Sequence, residues 1–141
     1  WKCPMSDVTS RAWWRWATGM RTACGLRVYD VDAHGRALGI RENDQRTRPE
    51  TVGLPHDAQP APDDPGTLGC LTQRARELWG APVCARVVGV FADGSLEWAA
   101  CDLPGRDPMY GYRSEYAALL AACDAAPNPT TSTANPQGDA P

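Results

Sequence analysis

The sequence predicts a small α+β domain with the element order α-β-β-α-β-β-α, in which two β-hairpins form one antiparallel sheet covered by helices. Two stretches, residues 26–40 and 83–102, contain strand-type runs on either side of a glycine-containing turn, which is typical of β-hairpins. Two further stretches, residues 65–79 and 114–125, place apolar side chains at spacings of three and four, which is typical of helices. A chain of 141 residues is long enough for one such core.

The chain is expected to divide into an N-terminal extension, one folded domain and a tail. Residues 1–7 form the extension, and Met5 within them is a candidate start of translation. The α+β domain spans residues 8–126. Residues 127–141 are rich in proline, threonine and asparagine and have no apolar face, so we expect them to be disordered.

The tryptophan segment, residues 10–21, predicts a short helix that begins after Ser6 or Asp7 and ends at Gly19. It also contains the candidate binding residues, Arg11, Trp13, Trp14, Arg15 and Arg21. Tryptophan rings beside arginines could stack on bases and pair with phosphates, as in proteins that bind single-stranded nucleic acids. On a helix, however, one or two of these rings would lie in the core, and we favour that interpretation. An exposed Trp14 would instead anchor a partner protein.

The first hairpin turns at His34 and Gly35. Asp30, Asp32 and His34 alternate along its first strand and its turn, where carboxylates and an imidazole could hold a divalent metal. The solvent-facing side of a strand explains the same alternation, and we favour that interpretation. Residues 42–64, which follow this hairpin, are acidic, rich in proline and aperiodic, so they are predicted to form a linker on the surface.

The helix over residues 65–79 has signals at both ends: Asp64 suits the N-cap, Pro65 suits the first turn, and Gly80 suits the end. Its apolar stripe consists of Leu68, Leu71, Ala75 and Leu78. The helix therefore has one face for the core.

Two glycines, Gly66 and Gly69, lie in the first turns of that helix. Free N–H groups at a helix start attract anions, so the glycines could admit a phosphate or carboxylate. They could equally make room for a neighbouring backbone. Because Asp63 and Asp64 would repel an anion there, we favour packing.

The second hairpin turns at Asp93 and Gly94, and the last helix begins at Ser114 and ends at Pro127. When the two hairpin sequences are shifted by 59 positions, they share arginine, valine, alanine and glycine at matching places. An internal duplication of a helix-hairpin unit explains the match, and so do two hairpins that meet the same geometric requirements. We favour the second explanation.

The net charge of −3 and an isoelectric point near 5.3 argue against a protein that binds nucleic-acid backbones without sequence preference. The first 48 residues are nevertheless basic, with nine lysines and arginines against five acidic residues. A mean hydropathy of −0.45 and the lack of an apolar run of about 20 residues argue against a membrane-spanning segment. Nucleic acid therefore stays an alternative partner, and a membrane does not.

The six cysteines are scattered and form no Cys-x-x-Cys pair: Cys3, Cys24, Cys70, Cys84, Cys101 and Cys123. Without such spacing, and without a secretory signal at the N-terminus, no disulfide framework is predicted. We expect reduced thiols that pack as small apolar residues in a protein of the cytoplasm. Because the two histidines, His34 and His56, lie in a turn and in the linker, we predict no Cys-His catalytic pair, cofactor site or metal site.

Three motifs resemble a family of small proteins of bacteriophages and prophages. The first is Trp-x-Trp-x-x-Gly-Met-Arg, matched by Trp14, Trp16, Gly19, Met20 and Arg21. The second is Asp-Pro-Ala-Thr-Leu-Gly-Cys-Leu, matched by Asp64, Pro65, Thr67, Leu68, Gly69, Cys70 and Leu71. The third is Arg-Glu-Ala-Trp-Gly, matched by Arg76, Glu77, Trp79 and Gly80. Gly66 replaces the alanine of the family, and Arg74 stands at a position that is usually apolar.

This resemblance covers most of residues 10–127 and implies a phage setting but no activity. We therefore expect a non-enzymatic phage or prophage accessory protein that binds a partner protein in the host cytoplasm. The alternatives are binding of single-stranded nucleic acid through the tryptophan segment, and sequestration or turnover of a small ligand. An exposed aromatic patch around Trp14 would favour the first function, and a deep pocket would favour the last. Nucleic-acid binding would be favoured by a continuous arginine face, built from Arg11, Arg15, Arg21 and Arg27.

Overall fold

A computed structural model of the chain describes residues 7–42 and 50–127. These residues form two three-stranded antiparallel sheets and two α-helices in the order β-β-β-α-β-β-β-α, which confirms the α+β fold class. In chain order the elements are β1 Leu26–Val31, β2 Ala37–Arg41, β3 Thr51–Gly53, α1 Pro65–Trp79, β4 Cys84–Val90, β5 Leu96–Cys101, β6 Met109–Tyr112 and α2 Glu115–Ala125.

The chain divides into two compact units, Trp1–Cys70 and Leu71–Pro141. The first unit contains the first sheet, with the strand order β1-β2-β3, and the start of α1. The second unit contains the rest of α1, the second sheet, with the order β4-β5-β6, and α2. The two predicted hairpins therefore lie in separate sheets, and the prediction of one shared sheet is wrong. Each hairpin has its own third strand, β3 in the first sheet and β6 in the second.

The predicted linker, residues 42–64, contains ordered structure. Within it β3 pairs antiparallel with β2, and the described residues that follow β3 bond to the chain before β1. The N–H of Ala61 donates to the carbonyl of Arg21 at 2.8 Å, and Ala58 and Ala61 are both buried. The linker prediction is thus wrong for β3 and for residues 58–61, because small side chains there fit into the first unit. Residues 43–49 lie outside the described part of the chain.

The tryptophan segment does not form the predicted helix. A single turn of 3-10 helix, Val8–Ser10, precedes it, and turns and irregular backbone follow. A helix this short is marginal by itself, so tertiary contacts decide the conformation. Here the indole rings pack on one another: the ring of Trp14 lies 5.9 Å from that of Trp13 and 5.2 Å from that of Trp16.

The sequence predicts an N-terminal extension over residues 1–7 and a disordered tail over residues 127–141. At the N-terminal boundary, Asp7 accepts hydrogen bonds from the Thr9 hydroxyl at 2.9 Å and from the Gln59 amide at 3.3 Å, so it is tied to the fold. Residues 1–6 and the predicted disordered tail after Pro127 lie outside the described residues. The extension, the tail and the single-domain organisation stay predictions.

The two predicted α-helices are confirmed with α1 at its predicted bounds. The Ser114 hydroxyl caps α2 by accepting a hydrogen bond from the N–H of Ala117 at 3.0 Å. In the second unit α2 packs against all three strands of the sheet and buries one face, which consists of Ala118, Leu119, Ala122 and Cys123. The indole N–H of Trp79, at the end of α1, donates to the carbonyl of Ala122 at 2.8 Å. Helix α2 thus supplies much of the core of this unit.

The two hairpins share one pairing register. Val28 pairs with Gly39 in the first sheet, and Val87 pairs with Trp98 in the second, 59 residues further along in both strands. Each register shifts at the next position, so that Tyr29 and Val88 are equivalent bulge residues. The same offset holds for every other pair of the first hairpin.

The two hairpin turns also agree. In the first turn the N–H of Asp32 donates to the carbonyl of Arg36 at 2.9 Å, and in the second the N–H of Phe91 donates to the carbonyl of Ser95 at 2.8 Å. Gly35 and Gly94 have φ angles of +83° and +89°, a conformation that glycine adopts readily. The predicted turn positions are confirmed.

Candidate functional site

The predicted binding residues of the tryptophan segment are only partly on the surface. Trp13 is buried, with 5% of its surface exposed, and Trp14 is half-buried between its two neighbours. The indole N–H of Trp14 is buried without a hydrogen-bond partner. Trp13 therefore belongs to the core of the first unit, and Trp14 is not the exposed aromatic anchor that a partner site there would need.

The arginines of the proposed basic face have different surroundings. Arg21 donates to Glu42 at 2.9 Å, and Arg27 forms an ion pair with the same carboxylate at 3.0 Å. Arg15 is exposed and Arg11 is half-buried. Because Arg21 and Arg27 already pair with the two carboxylates of Glu42 and Asp64, the structure does not favour a continuous phosphate-binding face.

The start of α1 is held by a carboxylate and a guanidinium. Both terminal nitrogens of Arg27 donate to Asp64, at 2.7 Å and 3.0 Å, and one of them also donates to the carbonyl of Gly19 at 2.9 Å. Asp64 accepts the N–H of Thr67 at 2.9 Å, which makes it the predicted N-cap. The hydrogen bond from Arg27, and then that from the N–H of Thr67, lower the pKa of Asp64 against the opposing effect of burial.

Gly66 lies against the backbone of the tryptophan segment. A Cβ at this position would collide with the carbonyl oxygen of Gly19 and would lie 2.8 Å from a guanidinium nitrogen of Arg27. A Cβ at Gly69 would meet no atom within 4 Å. The packing interpretation is therefore confirmed for Gly66. At position 69 no neighbouring atom lies close enough to require a glycine.

The next residues of α1 complete this contact. The buried Thr67 hydroxyl accepts the N–H of Arg21 at 3.0 Å, and the thiol of Cys70 donates to the carbonyl of Thr18 at 3.5 Å. Burial, and then the charge of Asp64, raise the pKa of Cys70. The two motifs Gly-Met-Arg and Asp-Pro-x-Thr-Leu-Gly-Cys thus contact each other and have a structural role.

Two open cavities lie on the first unit. One, of about 450 Å³, is bordered by Arg21, Arg27, Glu42 and Asp64, which already pair with one another. The other, of about 540 Å³, is lined by Trp16, by residues of the hairpin turn, and by the chain after β3, which includes Leu54 and His56. Both are wide open to solvent, unlike the enclosed pockets typical of small-ligand sites.

The carboxylate of the proposed metal site is engaged by its own turn. Asp32 accepts the N–H of His34 at 2.8 Å, the N–H of Arg36 at 2.9 Å and the guanidinium of Arg36 at 3.0 Å. In residues 7–42 and 50–127, no group of three or more His, Cys, Asp or Glu side chains is arranged to hold a metal ion. The hydrogen bonds explain the Asp-x-His spacing as turn chemistry.

Sequence reasoning missed a difference between the outer edges of the two hairpins. The outer edge of β1 is covered by the edge segment, residues 19–22, which runs antiparallel to it. Gly19 donates to the carbonyl of Val28 at 2.9 Å, the N–H of Val28 donates to Met20 at 2.8 Å, and Thr22 donates to Leu26 at 2.8 Å. The N–H and the carbonyl of Val28 therefore both face away from β2.

Within residues 7–42 and 50–127, no segment covers the outer edge of β4 in this way. Because β4 repeats the register of β1, the N–H and carbonyl of Val87 also face away from the neighbouring strand. Among the described residues, no backbone or side-chain hydrogen bond is found on this outer side of β4. The edge thus offers free donors and acceptors to another extended chain.

The side chains beside this edge are aliphatic and exposed. We define the edge surface as Val87, Val88, Val90 and Leu96, whose exposed fractions are 45%, 44%, 63% and 49%. Val90 lies directly opposite Leu96, and Val87 lies opposite Trp98, so Val87, Val90 and Leu96 share one face. In the first unit the equivalent residues of Val87 and Leu96 are Val28 and Ala37, which are 1% and 7% exposed.

The one sequence signal for this surface is the run Val-Val-Gly-Val, which contains no polar side chain. A strand with one buried and one solvent-facing side alternates apolar and polar residues, and this run does not. From the sequence we expect both runs of the second hairpin to be at least half-buried, and this is wrong for Val87, Val88 and Val90, which are exposed. The sequence does not show which hairpin keeps an open edge. That difference depends on the edge segment, which lies outside both hairpins.

No helix in residues 7–42 and 50–127 has both the length and the apolar character to cross a bilayer. The five cysteines within these ranges are free thiols, of which Cys101 and Cys123 are buried and Cys24 is exposed. Cys3 lies outside the described residues. Cys101 and Cys123 are buried, as expected for cysteines that pack as small apolar residues.

Comparison of the chain with protein-family models, with curated proteins and with solved structures finds no match. The case for a function therefore depends on the geometry described above.

Proposed function

We propose that this protein acts by binding a partner protein, an extended segment of which adds to β4 as a fourth strand of the second sheet. The observation that carries this proposal is the outer edge of β4, which no described residue covers and which lies beside the exposed edge surface. An extended chain supplies the missing hydrogen bonds, and its side chains cover the valines.

The first unit indicates the geometry of the bound segment. By analogy with the edge segment, the partner runs antiparallel to β4, donates an N–H to the carbonyl of Val87 and accepts the N–H of Val87. A third bond reaches the carbonyl of Ala85, which is equivalent to Leu26. Main-chain bonds of this kind supply affinity without demanding one sequence.

The side chains of β4 limit which segments fit. An apolar residue of the partner would cover Val87, as expected for exposed aliphatic surface beside an open edge. Arg86, the one charged residue of β4, has 62% of its side chain exposed and pairs with Asp102 at 3.0 Å. We therefore expect bound segments to alternate apolar residues and to place an acidic residue opposite Arg86.

The phage or prophage setting, the host cytoplasm and the absence of catalysis belong to the same proposal, and the motif resemblance is their support. Nucleic-acid binding through the tryptophan segment is not proposed. Of its five candidate residues, Trp13 is buried and Arg21 is paired with Glu42.

The test is a selection of random peptides displayed on a cell surface, with the full chain as bait. We expect the selected peptides to share alternating apolar residues, and we expect a selected peptide to slow amide exchange along Cys84–Val90. Selection of no peptide above background, or protection at another surface of the chain, would contradict the proposal.

Two variants test the edge itself. Val87→Pro removes an N–H that faces outward and leaves the bonds between β4 and β5, because proline is tolerated at such edge positions. Val90→Lys adds a charge to the most exposed residue of the edge surface. We expect each to weaken peptide binding at least about ten-fold, which corresponds to about 1.4 kcal/mol.

The matched control is Leu38→Lys, which changes an aliphatic residue of the first unit with 38% exposure and should leave peptide binding unchanged. Thermal unfolding of each variant checks the fold, and Val90→Lys remains informative if Val87→Pro does not fold. Equal affinity of Val90→Lys and the unaltered chain overturns the proposal. A dimer of the unaltered chain that Val90→Lys dissociates would make a second copy the occupant and contradict the proposal in its present form.

A further inference from the structure

Two cysteines of the second unit lie directly opposite each other on neighbouring strands. Cys84 is the first residue of β4 and Cys101 the last of β5, and the two are paired in the antiparallel register. Directly opposed residues project to the same face, with Cβ atoms about 4.5–5.5 Å apart. Both are free thiols; Cys84 is half-buried, and Cys101 has 7% of its surface exposed.

Charged groups surround the more accessible sulfur. The thiol of Cys84 donates to a carboxylate oxygen of Asp102 at 3.6 Å, and a guanidinium nitrogen of Arg86 donates to the same oxygen at 3.0 Å. The interaction with Cys84, and then the charge of Asp102, raise the pKa of Arg86. Cys84 is thus the accessible member of the pair, and it lies beside both a carboxylate and a guanidinium.

The buried sulfur is coupled to the accessible one. The thiol of Cys101 donates to the carbonyl of Ala99 at 3.8 Å. Burial, and then the negative charge of Cys84, raise the pKa of Cys101. Because the two residues are directly opposed in the register, their side chains lie on one face of the sheet within reach of each other.

We propose that Cys84 and Cys101 are a redox-active dithiol, which hydrogen peroxide converts into a reversible disulfide across β4 and β5. The proposal does not depend on the proposed function. In the first step the Cys84 thiolate attacks one oxygen of the peroxide and the O–O bond breaks. The products are a sulfenic acid on Cys84 and a hydroxide, which takes up a proton to form water.

In the second step the sulfur of Cys101 attacks the sulfur of Cys84, and the S–O bond breaks. The proton of the Cys101 thiol leaves with the hydroxide as a second water. Two thiols and one peroxide thus give one disulfide and two waters. Because Cys101 lies directly opposite the sulfenic acid, its burial does not hinder this step.

The strand geometry favours reversibility. An unstrained disulfide holds its Cβ atoms about 3.5–4.5 Å apart, which is closer than most directly opposed positions of a sheet. Closing the bond therefore draws the two strands together and stores strain, and strained disulfides are reduced more readily.

The test treats the reduced full chain with equimolar hydrogen peroxide, blocks the remaining thiols and maps the peptides by mass spectrometry. We expect a linked pair of peptides that contain Cys84 and Cys101, at a mass two hydrogens below the reduced sum, and we expect dithiothreitol to release them. In Cys101→Ser, dimedone should trap a sulfenic acid on Cys84. In Cys84→Ser, Cys101 should stay unmodified.

The control Cys24→Ser removes an exposed thiol and should leave the linked pair unchanged. A second measurement needs no variant: one equivalent of phenylarsine oxide, which bridges two neighbouring thiols, should protect both cysteines of the reduced chain from alkylation. Full alkylation of both after peroxide treatment, or a bond from Cys84 to a different cysteine, would overturn the proposal. So would the lack of arsenical protection.

Discussion

At Gly66 a hydrogen atom occupies the place where any other residue has a Cβ, and the carbonyl of Gly19 lies against it. The close approach lets Arg27 reach both that carbonyl and Asp64. One glycine therefore decides how the start of α1 meets the tryptophan segment in the first unit.

Gly66→Ala should lower the free energy of unfolding by about 1–3 kcal/mol, the cost of an extra group in a well-packed site. The matched control is Gly69→Ala in the same helix, where the added methyl meets no atom within 4 Å. There we expect a gain of about 0.5–1 kcal/mol, because alanine restricts the unfolded chain more than glycine does. Urea denaturation measures both, and equal effects of the two substitutions would contradict the contact at Gly66.

Asp64 should make stability depend on pH. A free aspartate has a pKa of about 3.9, and the pKa of Asp64 lies below its usual value in the folded chain. Its ionised form therefore stabilises the fold above about pH 4, and this contribution is lost as the pH falls through the folded pKa. Asp64→Asn should cost about 2 kcal/mol at pH 7, and the difference from the unaltered chain should shrink on acidification. A difference that stays constant from pH 7 to pH 2 would show that the charge has no role.

At single residues, the predictions that succeeded concern interactions between residues that are close together in the sequence. Asp64 and Pro65 were identified as the start of α1 because capping depends on the next few residues only. The partner of Asp64 is Arg27, which is distant along the chain, and no local pattern marks that pair. The sequence predicts that one or two of the tryptophan rings lie in the core, and the buried Trp13 is one of them, although the helix assumed for that prediction does not form.

At the scale of elements, length separates the correct predictions from the others. Helices α1 and α2 are long enough to show periodicity and carry capping residues, and the hairpins have recognisable turns. Strands β3 and β6 have three and four residues, too few for an alternating pattern to be recognised. Each is formed because a hairpin edge is available for pairing, which depends on the tertiary fold.

The side chains of β1 and β4, the first strands of the two hairpins, differ in how far they are buried. A matched pair of lysine substitutions should show this difference. Val28→Lys places an ammonium group at a position that is 1% exposed, so it should lower the free energy of unfolding by about 3 kcal/mol or more. Val87→Lys, at the equivalent position with 45% exposure, should change it by about 0.5 kcal/mol at most. Denaturant unfolding measures both, and a large loss in Val87→Lys would mean that the β4 edge is covered.

For the whole molecule, the two units share a hairpin of the same register, bulge and turn. Two independent hairpins need the same turn but not the same bulge. The match therefore favours an internal duplication, which is the explanation that the sequence alone does not favour. The third strands do not follow the shift, since Gly39 pairs with Val52 whereas Trp98 pairs with Tyr112. The similarity is therefore limited to the hairpins.

The candidate site could not be predicted because it is a difference between these two units. The sequence shows two valine-rich hairpins and does not show that residues 19–22 cover only the first of them. The predicted site in the tryptophan segment contains buried and ion-paired residues instead. An edge with unpaired backbone groups can be identified only when the partner of each backbone N–H and carbonyl is known, and the sequence does not give those partners.

The most direct test of this account is amide hydrogen exchange of the free chain, resolved residue by residue with nuclear magnetic resonance. The N–H of Val28 donates to Met20, whereas the equivalent N–H of Val87 points away from β5 and has no partner among the described residues. We predict that Val28 exchanges at least roughly ten-fold more slowly than Val87. Equal protection of the two amides would show that the outer edge of β4 is already covered, and would contradict its role as the binding edge.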